Sequence, residues 1–107
     1  MYNIKIINNK IITVINDNMT QSDFGYVQLA LKLHLSESQL YRKLKATSGK
    51  STAVFIRSIR LQKGKELIQT TDKTISEVAY DVGFNDPSYF SRVFKEEFGH
   101  APSDVFK

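Results

Sequence analysis

The sequence predicts an all-α fold of about seven helices, in which two similar helix pairs are joined by one long helix. Apolar residues recur at helical spacing along most of the chain, and helix-start signals precede the apolar runs. The two halves of the chain also repeat each other. We expect one domain over residues 1–107, with a first unit at 1–50, a linker helix at 51–69 and a second unit at 70–107.

The first twenty residues carry an apolar stripe that is compatible with a helix or a strand. Its members stand three or four residues apart: Ile4, Ile7, Ile11, Ile15 and Met19. Isoleucine is β-branched and therefore also favours strands. Because the spacing is helical, we choose a helix, and we expect it to end at residues 16–18, which read Asn-Asp-Asn.

The next segment reads as two short helices around a turn. The first should run from Tyr26 to Leu33, and the chain turns at His34. Ser36 and Gln39 form a capping box, in which two side chains satisfy two unpaired amides at a helix start. The second helix therefore begins after Ser36, and Gly49 ends it.

A linker helix is predicted from Ser51 to about Gln69, the longest in the chain. Its inward residues should be Phe55, Ile56, Ile59, Leu67 and Ile68. Three cations, Arg57, Arg60 and Lys63, should be available to solvent.

The stretch from Thr74 to Pro102 contains the second pair of helices. Thr74 and Glu77 form a capping box, and Gly83 ends this helix because glycine readily takes the left-handed conformation. Asp86 caps the following helix, whose buried stripe is Phe90, Val93, Phe94 and Phe98. The opposite face carries Ser88, Ser91, Arg92 and Lys95, small polar or cationic residues that suit a DNA major groove.

The outward cations belong to an internal repeat. A shift of 49 residues places His34 on Gly83, so we expect a left-handed backbone at His34. Beyond Asn85 the shift becomes 50, which pairs Arg42 with Arg92, Lys45 with Lys95, and residues 55–57 with residues 105–107. A shared fold explains a repeated core. Repeated outward cations indicate a ligand with a repeating surface.

At these residues the sequence resembles the AraC-type family of bacterial transcription activators. The segment ISEVAYDVGFNDPSYFSRVFKEEFG, ending in Ala101-Pro102, fits the family signature. The segments LSESQLYRKLKATSG and FIRSIRL look most like the output domains of hybrid two-component regulators in Bacteroidetes. The resemblance implies two helix-turn-helix subdomains joined by a long linker helix, double-stranded DNA as partner, and contact with RNA polymerase. It also implies that a sensing or dimerisation region precedes this domain, so we expect a fragment.

By position, the resemblance assigns DNA contact to the outward face of each second helix. These residues are Ser38, Gln39, Tyr41, Arg42 and Lys45 in the first unit, and Pro87, Ser88, Ser91, Arg92 and Lys95 in the second. Arg57, Arg60 and Lys63 either contact phosphates or form a solvated helix face. A linker of about 19 residues would span about 28 Å. This approaches the 34 Å or so between successive major grooves, so one monomer can reach both.

Other functions find less support. A net charge of +4 and a pI near 9.4 favour a polyanionic partner. Cysteine is absent, which excludes thiolate metal sites, and His34 and His100 lack a supporting ligand cluster, so no cofactor is expected. No residues have the spacing of a nucleophile, base and orienting group, so no enzyme activity is expected. No apolar run suits a membrane span or a signal peptide, and we therefore expect the protein in the cytoplasm. The alternative is a basic helical module that docks an acidic protein.

Overall fold

The computed structural model describes the backbone of residues 4–105 and the side chains of residues 8–105. In this part of the chain the regular structure is entirely helical, which confirms the all-α prediction. The side chains of Ile4 and Ile7, and the repeat partners at residues 106 and 107, lie outside the described residues.

Six α-helices and one short 3₁₀ turn account for the predicted seven or so helices among the described residues. They are α1 (Ile4–Asp17), α2 (Tyr26–Lys32), α3 (Glu37–Ser48), α4 (Thr52–Thr70), α5 (Ile75–Asp81), α6 (Pro87–Phe98) and the 3₁₀ turn (Pro102–Asp104). Helices α2 to α5 begin and end within one or two residues of their predicted bounds. The helix chosen for the first segment is confirmed as α1.

The described residues divide into two compact units. Residues 4–18 and 24–59 form the first unit, and residues 19–23 and 60–105 form the second. Helix α4 contributes its first eight residues to the first unit and the remainder to the second. The short segment after α1 therefore packs with a unit whose other residues come much later in the sequence.

The first unit has an apolar core formed by the inward faces of its helices. Ile11 and Ile15 of α1 are buried, as expected from the isoleucine stripe. Among the side chains that the structure describes, the other buried apolar residues of this unit are Phe24, Leu29, Ala30, Leu40, Leu44 and Ile56. Leu40 and Leu44 stand four residues apart on α3, so their burial leaves the other side of that helix exposed.

A series of aromatic rings lies in the core of the second unit. Phe84 and Phe90 meet edge to face with centroids 5.2 Å apart, and Phe90 and Phe94 follow at 5.6 Å. Phe98 continues the series at 4.6 Å from Phe94 but is only half-buried. These separations are typical of packed aromatic pairs. The rings therefore form a core, as the sequence predicted, and not an outward stacking surface.

The turn of the first unit is a Schellman motif with a left-handed histidine. His34 has φ of 56°, which confirms the expectation from the repeat. The Leu35 amide donates to the Ala30 carbonyl at 3.0 Å, and the His34 amide donates to the Leu31 carbonyl at 3.2 Å. These two bonds satisfy carbonyls that α2 leaves unpaired.

The second unit repeats this turn with glycine at the left-handed position. Gly83 has φ of 89°. The Phe84 amide donates to the Ala79 carbonyl at 2.9 Å, and the Gly83 amide donates to the Tyr80 carbonyl at 3.0 Å. The two halves of the chain therefore repeat backbone geometry as well as residue types.

The expectation that Arg60 is available to solvent is wrong. The side chain is buried, and its guanidinium donates to the carbonyls of Met19 at 3.0 Å, Val82 at 2.9 Å and Gln21 at 3.0 Å. Burial lowers the pKa of the Arg60 guanidinium, since desolvation disfavours the charged form. Arg60 therefore ties the segment after α1 to the turn after α5 within the second unit.

Candidate nucleic-acid interface

Helix α3 begins with the predicted capping box. The Ser36 hydroxyl accepts a hydrogen bond from the Gln39 amide at 3.0 Å, and the Gln39 side-chain oxygen accepts one from the Ser36 amide at 2.9 Å. This reciprocal cap fixes where α3 starts and hence which of its residues face outward.

The predicted contact residues of the first unit share the exposed side of α3. We call this set the α3 face: Ser38, Gln39, Tyr41, Arg42 and Lys45, all exposed. The Lys45 ammonium donates to the Gly49 carbonyl at 3.0 Å, at the negative end of the helix dipole. The cation of Lys45 therefore lies at the C-terminal end of this face.

Helix α6 begins with a different cap. The Asp86 carboxylate accepts a hydrogen bond from the Ser88 amide at 2.9 Å, and Pro87 occupies the first helical position, where an amide would lack a helical partner. Phe90 and Phe94 are fully buried, which directs the opposite side of α6 outward.

The predicted contact residues of the second unit lie on this opposite side. We call this set the α6 face: Pro87, Ser88, Ser91, Arg92 and Lys95. Ser88, Arg92 and Lys95 are exposed, whereas Pro87 and Ser91 are half-buried. The two faces thus present the same pair of exposed cations, an arginine and a lysine one helical turn apart.

Tyr89 is not among the contact residues assigned from the sequence, yet its ring lies beside one of them. The Arg92 guanidinium carbon lies 5.1 Å from the centroid of the Tyr89 ring, within the range of a cation–π contact. An aromatic three residues before an arginine on a helix is a detectable signal, since such positions are neighbours on the helix surface.

The remaining cations of α4 differ in their surroundings. Arg57 is half-buried. Lys63 forms an exposed ion pair with Glu66 at 3.3 Å. Since Arg60 is buried, only Arg57 and Lys63 remain as proposed phosphate contacts.

Within the described residues, no group of three or more histidine, cysteine, aspartate or glutamate side chains is placed to hold a metal ion. In the same part of the chain, no helix combines the length and apolar character needed to cross a membrane.

Comparison with known proteins identifies the family. A family model described as a helix-turn-helix domain matches residues 29–107, which include most of both units. The chain belongs to the AraC-type family of DNA-binding domains. This is a family of transcription-regulator domains and not of enzymes.

Relatives of two kinds match over most of this chain. It is 34% identical to Histidine kinase P4 of Formosa agariphila over 88% of its length, and it spans 7% of that protein. It is also 34% identical over 83% of its length to the HTH-type transcriptional activator RhaS of Mannheimia succiniciproducens, of which it spans 33%. The chain therefore spans a third or less of these relatives.

A solved AraC-type structure shares the fold. The C-terminal domain of AraT, a response regulator from Geobacillus stearothermophilus, matches with a TM-score of 0.80 and 31% identity. The match covers 91% of this chain and 80% of the AraT domain. The resemblance to AraC-type domains and to hybrid two-component regulators is confirmed.

Proposed function

We propose that this domain binds double-stranded DNA in a sequence-specific manner, with α3 and α6 in adjacent major grooves of one duplex. It would serve in the cytoplasm as the output domain of a bacterial transcription regulator that contacts RNA polymerase. The observation that carries the proposal is the repeated pair of exposed cations, Arg42 with Lys45 and Arg92 with Lys95, on capped helices with buried opposite sides. In this role the α3 and α6 faces read bases, while Arg57 and Lys63 contact phosphates.

Helix length supports reading by a single chain. Helix α4 has 19 residues, and a helix of that size measures about 28 Å at about 1.5 Å per residue. Successive major grooves on one side of B-DNA are about 34 Å apart. Bending of the duplex would supply the difference, at an energy that depends on the sequence between the two contacts.

Selection of bound sequences from a random pool tests this proposal. We expect a site of two unlike halves about one helical turn apart, without palindromic symmetry, because a tandem repeat within one chain has no twofold axis. Arg42→Ala should relax base preference in one half and Arg92→Ala in the other, each costing about 1–3 kcal/mol. A palindromic consensus bound only by dimers would contradict single-chain reading. Equal weakening of all sequences would make both arginines phosphate contacts.

Salt dependence separates DNA binding from nonspecific charge attraction when it is combined with competition. For about five neutralised phosphates, the logarithm of affinity should fall with the logarithm of salt concentration at a slope of about −4 to −5. A specific duplex should also compete better than a scrambled duplex of the same length. Equal competition would favour the alternative, a basic module that docks an acidic protein.

A further inference from the structure

Arg92 and Arg42 are equivalent in the repeat, yet only Arg92 rests on an aromatic ring in the described part of the chain. Its guanidinium carbon lies 5.1 Å from the Tyr89 ring centroid. The Tyr89 ring in turn lies 6.0 Å from the ring of Phe84, which is buried. Arg92 is thus connected through Tyr89 to the aromatic core of the second unit.

The caps of the two helices explain why this contact occurs once. Gln39 is the repeat equivalent of Tyr89, and its side chain closes the capping box with the Ser36 amide. In α6 the Asp86 carboxylate caps the helix without a reciprocal side chain. Tyr89, at the third helical position, therefore takes no part in the cap, and its ring can lie beside Arg92. Among the described residues, Arg42 takes part in no cation–π contact or ion pair.

We infer that Tyr89 is a positioning residue that orients the Arg92 guanidinium on the α6 face, which makes α6 the more base-selective of the two helices. The inference rests on the proposed DNA binding and extends it to the unequal roles of the two units. Arginine recognises guanine through a planar fork whose direction matters. A guanidinium held on a ring before binding loses less side-chain entropy and tolerates fewer misaligned bases.

The test measures how strongly each of two Tyr89 variants discriminates among bases. The selected duplex competes for the domain with duplexes that carry altered bases in one half-site. Tyr89→Leu removes the ring, and we expect discrimination among bases in the α6 half-site to fall about two- to fivefold. Discrimination in the α3 half-site and the salt slope should stay unchanged. Tyr89→Phe keeps the ring and should retain most of the discrimination.

Two further variants separate positioning from a general effect on folding. Tyr80→Leu makes the same replacement at an exposed tyrosine of α5 outside both faces, and it should leave discrimination unchanged. In an Arg92→Ala background, Tyr89→Leu should cause no further loss, because the residue it positions is gone. Thermal unfolding of each variant sets a temperature at which all are folded.

Several results would overturn the inference. Unchanged discrimination in Tyr89→Leu would do so, as would equal losses in Tyr89→Leu and Tyr89→Phe, or an equal loss in both half-sites. A full additional loss in the Arg92→Ala background would show that Tyr89 acts independently of Arg92. If the unsubstituted domain did not distinguish selected from scrambled DNA, the proposed function would fail first.

Discussion

Replacing Arg60 by methionine removes a charged donor while keeping a long, unbranched side chain. The guanidinium donates to three backbone carbonyls, those of Met19, Gln21 and Val82, at 2.9–3.0 Å. Although burial lowers the pKa of Arg60, arginine remains protonated at neutral pH. The substitution therefore leaves three carbonyls without a charge-assisted partner.

The expected loss of stability depends on which carbonyls water can reach. Met19 and Val82 are buried, and an unsatisfied buried acceptor costs about 1–3 kcal/mol. Gln21 is exposed, so its carbonyl can bind water instead. Methionine carries no charge, so the variant avoids the desolvation cost of the buried guanidinium, and this offsets part of the loss. We expect Arg60→Met to lower the free energy of unfolding by about 3 kcal/mol, or Tm by about 12 °C or more for a domain of this size.

Urea and thermal unfolding measure this effect, with Lys63→Met as the matched control. Lys63 lies one turn further along α4 and pairs with Glu66 on the surface. Because exposed ion pairs contribute little, the control should stay within about 0.5 kcal/mol of the unsubstituted domain.

DNA binding below the unfolding temperature provides an independent check. A buried Arg60 neutralises no phosphate, so Arg60→Met should keep the salt slope of the unsubstituted domain. A slope smaller by about 1, together with unchanged stability, would restore the phosphate role and refute the structural one.

Three further predictions concern turns and caps. A Cβ on Gly83 would lie 1.3 Å from Arg60 Nη1 and 2.4 Å from the Met19 carbonyl oxygen, whereas a Cβ on Gly99 meets nothing within 4 Å. In urea unfolding, Gly83→Ala should therefore lower the free energy of unfolding by at least about 2 kcal/mol more than Gly99→Ala does. In the same assay, His34→Gly should raise the free energy of unfolding by about 0.5 kcal/mol, because glycine adopts a positive φ without strain but also gives the unfolded chain more entropy. A clear loss of stability would reveal a role for the imidazole. The Thr74 amide and hydroxyl lower the pKa of Glu77 from its usual 4.5, so its ionised form stabilises the fold above about that pH and the contribution is lost as pH falls further. Glu77→Gln should therefore flatten the fall of the unfolding free energy as pH decreases below about 4.5, and an unchanged fall there would count against this cap.

Local signals explain how much of the fold the sequence predicts. The capping boxes at Ser36 and Thr74 involve side chains and amides within four residues of each other, so their outcome depends little on the rest of the chain. The left-handed backbone at His34 followed from alignment with Gly83. Periodicity also identified the sides of α3 and α6 that face outward.

The burial of Arg60 had no comparable local signal. A cation within a long helix is ordinarily placed toward solvent. The carbonyls that receive its hydrogen bonds belong to residues 41, 39 and 22 positions away along the chain. The sequence pattern therefore groups Arg60 with Arg57 and Lys63, although three distant backbone carbonyls decide its environment.

The internal repeat shows how this buried charge and the second turn depend on each other. At a shift of 49 residues, Arg60 falls on Ile11, and both are buried. The turn residues that fall on each other are Gly83 and His34, both with positive φ.

In the second unit, Arg60 Nη1 occupies the place that a Cβ on Gly83 would need. In the first unit, an apolar residue stands in place of the arginine, and the turn carries a histidine with an exposed side chain. A left-handed turn alone tolerates histidine at modest cost. The requirement for glycine at Gly83 therefore comes from the guanidinium packed against the turn, and less from the turn geometry that both units share.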